Sequence, residues 1–108
     1  MSSTVEAILS QHQAALAALC QRFGVSRLDL FGSATTDAFD PLTSDLDFLV
    51  EFDTEAQQKA FDNYFGLREQ LETLFGRPVD LVTKGSLRNP YFIRDIEQSR
   101  RLIYASHT

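Results

Sequence analysis

Cysteine is almost absent from this chain: Cys20 stands alone, so no disulfide can form within it. Cations are also in short supply, with 10 Lys and Arg against 15 Asp and Glu, a net charge of -5. That balance argues against a general nucleic-acid binder, which needs surplus cations against the phosphate backbone. No apolar run approaches the roughly 18 residues of a membrane span. The amino end has no basic segment followed by an apolar one of the kind that directs secretion. No membrane partner is expected, and a reducing cytoplasm is the expected location. Internal repeats and low-complexity stretches are missing too.

What remains is globular material. The 108 residues are 44% hydrophobic and 23% charged, with nine Phe, which is enough for one domain over 1–108 and too little for two. The first twenty-odd residues read as an amphipathic helix. Val5, Ile8, Leu9, Leu16, Leu19 and Phe23 recur at helical spacing. Ser3 with Glu6 fits a capping box, and Gly24 sits where a left-handed cap belongs. His12 and Cys20 fall on or beside the apolar stripe and are read as packing residues.

A short strand over 26–31 ends at Gly32, and a clearer one follows. There Leu46, Phe48, Val50 and Phe52 point to one side, and Asp45, Asp47 and Glu51 to the other. A second helix is expected over about 55–75, with Phe61, Tyr64, Phe65, Leu67, Leu71, Leu74 and Phe75 on a wide apolar face. Its main use should be packing on the sheet. Gly76 caps it and Pro78 stops it. Val79–Val82 reads as a third strand with Asp80 opposed to Val79 and Leu81. Asn89-Pro90 opens a short helix to about Ser99, and Leu102–Ala105 suits an edge strand. Helices alternating with strands predict an α/β (α+β) domain: a small mixed sheet of three to four strands flanked by helices.

Residues 32–50 carry most of the chemistry. Gly32 lets the backbone turn sharply and approach a ligand closely. Ser33 adds a hydroxyl and a backbone N–H, and a helix begun over 33–38 would aim further N–H groups at an anion. Asp45 and Asp47 project from one strand face about 7 Å apart. Taken singly, Gly-Ser after a strand also describes an ordinary turn, and Asp-x-Asp an exposed strand face. Asp80, on a strand able to lie beside the second, changes the balance. Two unit charges about 4 Å apart repel by roughly 4 kcal/mol at an effective dielectric near 20. Three carboxylates meeting on one face therefore need protons or a cation, and hard oxygen donors favour Mg²⁺ or Mn²⁺. Phosphoryl and nucleotidyl transfer use that arrangement.

Gly32-Ser33, eleven residues, Asp45-Leu46-Asp47 and later Val79-Asp80-Leu81 resemble the DNA polymerase β-like nucleotidyltransferase superfamily. Within it the chain is most similar to the minimal, single-domain MNT branch, from about Leu28 to the end. The resemblance implies a nucleotidyltransferase fold with a two-metal site. Asp45, Asp47 and Asp80 would be catalytic carboxylates and ligands of two Mg²⁺ ions, with Mn²⁺ as a substitute. Gly32, Ser33 and Ser44 would hold the triphosphate of ATP or another NTP. Many MNT proteins are antitoxins of HEPN-domain ribonucleases, and some transfer AMP onto a tyrosine of that partner. The implied activity is thus AMP transfer to a HEPN-type toxin within a hetero-oligomer.

One departure stands out. Where the family commonly has a basic residue and a second glycine after Gly-Ser, this chain has Ala34, Thr35, Thr36 and Asp37. Lys84 and Arg88, after the third strand, are candidates to compensate, or else solvated loop cations. Two further readings stay open. One is an antitoxin that blocks its partner by contact alone. The other is a small-molecule nucleotidyltransferase of the aminoglycoside type, whose usual acceptor domain 108 residues leave no room for unless a subunit supplies it.

Overall fold

The amino-terminal apolar stripe folds as two helices, α1 (Ser3–Gln11) and α2 (Gln13–Arg22), where one was expected. The computed structural model describes residues 3–36, 40 and 45–106. The break falls at His12, whose backbone leaves helical geometry at φ -115° and ψ 13°. Its N–H bonds Leu9 O at 3.2 Å, a tightened three-residue closure, while its Nδ1 lies 2.8 Å from Ile8 O. Backbone and side chain thus both turn back on the previous turn and interrupt the ladder. The ring meets Phe75 edge-on at 5.4 Å, so His12 packs as read. Cys20 is fully buried, and burial pushes its thiol up to about 12, out of reach of thiolate chemistry. Gly24 adopts φ +69°, the expected left-handed cap. The proposed capping box falls outside the described residues, because the helix starts at Ser3 and its side chain is not among them.

Four strands form one mixed sheet in the order β3-β2-β1-β4. β1 (Val25–Phe31) pairs antiparallel with β2 (Leu46–Phe52) and with the edge strand β4 (Arg101–Ala105). β3 (Val79–Thr83) runs parallel to β2. This is the mixed α/β architecture that the alternation predicts.

The sheet has two unlike faces. One carries Leu28, Leu30, Leu46, Phe48, Val50, Val79 and Leu81 into the main core, against Val5, Leu16 and Cys20 of the first two helices and Leu67, Leu71 and Phe75 of α4 (Ala60–Phe75). Burying each such side chain contributes about 1.5–3 kcal/mol, so this face anchors the fold. Gly66 lets α4 approach closely: a Cβ there would stand 2.7 Å from Phe23 Cε1. The other face holds a smaller apolar cluster, Phe31, Leu49 and Ile96, with Val82 and Leu87 against it. It is covered by α5 (Pro90–Ser99), which begins as expected with Asn89 Oδ1 accepting from Tyr91 N.

The second expected helix is also divided, into α3 (Thr54–Gln57) and α4. Gln58 N closes onto Glu55 O, and Lys59, at φ -120° and ψ 41°, restarts the chain. One packing expectation fails there. Phe61 and Phe65 are 74% and 47% exposed and lie against each other, centroids 4.7 Å apart. The pair lines an open cleft beside β3, with Leu81 and Val82, while Tyr64 bonds the strand directly, its hydroxyl donating to Leu81 O at 2.6 Å.

Beneath α5 lies a buried charge. Asp29, on the inner strand β1, is fully buried and accepts from Arg100 Nε at 2.8 Å and from the Arg100 Nη2. Arg27 Nε donates to the same carboxylate at 3.2 Å. Removing one partner of such a pair strands the other charge in a medium that solvates it poorly. Arg100→Ala is expected to cost about 3 kcal/mol in urea unfolding. The joint change Asp29→Leu with Arg100→Met should recover most of it.

Candidate active site

Strand register assembles the site. On the α5 side of the sheet, Phe31 of β1 pairs with Asp47 of β2, and Asp47 with Asp80 of β3. The next row on the same face is Asp29, Leu49 and Val82, which α5 covers. Acidic side chains thus occupy the row at one end of the sheet, beyond the apolar cover. Asp47 is half-buried there, while Asp45 and Asp80 are exposed.

Asp80 therefore lies where the sequence predicts, beside Asp47 and opposed to Val79 and Leu81. Burial is the main cause that raises the Asp47 carboxyl from 3.8 to about 6, followed by the negative charges of Asp80 and then Asp45. The three carboxylates share one electrostatic neighbourhood. Among the described residues they do not come together as a group able to hold a metal ion. Their all-oxygen donor set suits a hard divalent cation.

The Gly-Ser turn meets this row from β1. Gly32–Thr35 forms a single 3₁₀ turn, shorter than the helix envisaged over 33–38, and residues 37–39 lie outside the described residues. Gly32 adopts φ +73°, and a Cβ on it would stand 2.5 Å from Asp47 Oδ2. Only glycine fits, for the backbone conformation and for the space alike. The absent side chain is what lets the turn touch the carboxylate. Both ends of the residue are tied: its N–H donates to Ser99 Oγ at 3.2 Å, and its carbonyl accepts from Thr35 Oγ1 at 2.9 Å. Thr36 N and Oγ1 both donate to Ser33 O. The first N–H groups of such a turn have no partner inside it; Ala34 and Thr35 are buried, and Ser33 is half-buried. Ser44, the third expected phosphate contact, lies outside the described residues.

The compensating cations are engaged elsewhere. Lys84 Nζ pairs with Glu51 at 3.5 Å, and Arg88 Nη1 donates to the carbonyls of Gly85 and Leu87. Both line a cleft at the far end of β2 and β3, with Val50 and Thr83. No Lys or Arg occurs from residue 28 to 58. Sequence reasoning missed Ser99, whose hydroxyl reaches the turn from α5, and Asp29 beneath it. Only an Asp between Leu28 and Leu30 hinted at the second.

Comparison with known proteins agrees with this geometry. Residues 13–103 match the family model described as a nucleotidyltransferase domain. A Methanocaldococcus jannaschii protein, MJ1379, named as a candidate protein adenylyltransferase, is 38% identical over 102 residues, covering 94% of this chain and 95% of the relative. The protein adenylyltransferase MntA of Thermococcus cleftensis is 36% identical over 85 residues, 79% of each chain. The solved structure of a candidate minimal nucleotidyltransferase superposes with a TM-score of 0.70 at 29% identity, covering 90% of this chain and 93% of that one. The fold also occurs, at a TM-score of 0.59 and 16% identity over 91% of this chain and 73% of that one, in a complex of a tri-AMPylated Shewanella oneidensis HEPN toxin with its MNT antitoxin.

The Asp47 shift has a consequence for stability. A carboxyl raised from 3.8 to about 6 holds its proton more tightly folded than unfolded, so metal-free stability falls as pH rises through that window. At neutral pH the ionised group opposes folding. Asp47→Asn should therefore raise the melting temperature of metal-free protein at pH 7, by on the order of 2 °C once solvent screening is allowed for. Mn²⁺ should stabilise the parent chain and leave the variant unmoved; thermal scans with and without the ion check both.

Proposed function

The chain belongs to the nucleotidyltransferase domain family, and from that premise we propose that it transfers AMP from ATP to a tyrosine hydroxyl of a HEPN-type toxin, acting as the antitoxin. One observation carries the reading: strand register seats Asp80 beside Asp47, within reach of its charge, and Gly32 brings the Gly-Ser turn against the same carboxylate. The names of the relatives support adenylyl transfer to protein, and the toxin–antitoxin complex that shares this fold supports the class of partner.

Asp45, Asp47 and Asp80 would hold Mg²⁺, and Gly32, Ser33 and Ser44 would receive the triphosphate. When bound, the cation neutralises phosphate charge and makes the attacking hydroxyl more acidic. The chain supplies position and charge, with no covalent nucleophile of its own. The acceptor oxygen forms a bond to the α-phosphorus, the bond from that phosphorus to the bridging oxygen breaks, and pyrophosphate leaves. One of these aspartates would accept the hydroxyl proton. N–H groups of the 3₁₀ turn meet the anion where the family more often uses a cation.

The lack of any Lys or Arg from residue 28 to 58 favours a second reading, in which the chain neutralises its partner by contact alone. The two part on labelling. Purified chain, ATP and Mg²⁺ should add AMP to a co-produced HEPN protein, read by intact mass. Asp47→Ala should lower the rate by roughly a thousandfold, the several kcal/mol that a metal contributes. An unlabelled partner at saturating ATP, neutralised equally well by Asp45→Ala and Asp47→Ala, would establish the contact reading instead.

A further inference from the structure

The carboxy-terminal turn of α5 grips β1 at two neighbouring points. Arg100 binds the buried Asp29, and Ser99 accepts the N–H of Gly32 at 3.2 Å. A hydroxyl has one proton to give, and Ser99 gives its own to Asp95 O at 3.0 Å. A lone pair is therefore left for the Gly32 N–H, with its direction fixed by the helix.

Gly32 is the residue where the anion-facing turn and the Asp47 carboxylate touch. With no room for a Cβ, a small rotation of its peptide changes the spacing between the turn and Asp47. We propose that Ser99 is a positioning residue for the nucleotide: by holding the Gly32 N–H it sets the Gly32-Ser33 turn at the distance from Asp47 that a metal-bound triphosphate requires. Arg100, clamped on Asp29, keeps the end of the helix in place for this. The inference rests on the functional reading above.

Ser99→Ala and Ser99→Thr test it, in the full chain with Mg²⁺ and ATP. Loss of one hydrogen bond that fixes the turn should weaken ATP binding about fivefold, the factor carried by roughly 1 kcal/mol. The effect should fall on the KM for ATP, with kcat nearly unchanged. Thr, which keeps the hydroxyl, should restore affinity to within about twofold of the parent. Amide exchange by NMR should show Gly32 losing protection in Ser99→Ala while Leu28 and Leu30 keep theirs. Unchanged ATP affinity and unchanged Gly32 protection in Ser99→Ala would overturn the proposal, as would an affinity loss that Thr does not rescue. A parent chain that neither binds ATP nor transfers AMP would bring down the functional reading and, with it, the nucleotide role of Ser99. The Gly32 amide would then report only on the hydrogen bond.

Discussion

Everything at the site depends on the parallel pairing of β2 with β3. Parallel strands in register place equivalent residues side by side on the same face, so pairing Asp47 with Asp80 commits both carboxylates to one neighbourhood. A slip of one residue would turn Asp80 into the main core and bring Val79 or Leu81 out. Burial of Val79 and Leu81 therefore holds the acidic row together. Hydrophobic burial on one face thus fixes the acidic neighbourhood on the other, where burial first, and then the charges of Asp80 and Asp45, raise the Asp47 carboxyl.

The two faces divide the work. The face under α1, α2 and α4 is a continuous apolar core and supplies stability. The α5 face is a working surface: an acidic row, a small apolar cluster, and a buried Asp29 held by two arginines. Buried ion pairs are costly to desolvate and often no more stabilising than apolar residues. Here the pair ties the end of α5 to β1, next to the Ser99 contact with Gly32.

Local patterns in the chain announced most of this. Alternation through Leu46–Phe52 gave both faces of β2, and Asp80 between Val79 and Leu81 could point only away from the core. Asn89-Pro90 marked the start of α5, and Gly24 and Gly76 marked helix ends. What escaped was non-local or a matter of one residue. His12 and Lys59 break helices whose apolar period runs on through them, so periodicity alone cannot find them. Phe61 and Phe65 have the spacing of core residues, yet remain exposed. Asp29 and Arg100 are far apart in sequence, as are Gly32 and Ser99, and only the assembled sheet brings them together.

The central claim is that the acidic row at the end of β2 and β3 is where divalent metal binds, next to the Gly32 turn. Paramagnetic broadening by substoichiometric Mn²⁺ in the amide spectrum of the chain tests it most directly. The account predicts that Asp45, Asp47, Asp80, Gly32 and Ser33 broaden first and together, while Glu51, Lys84 and Arg88 at the far end of the strands stay sharp. Broadening centred on Glu51, or spread evenly over the acidic surface, would contradict it.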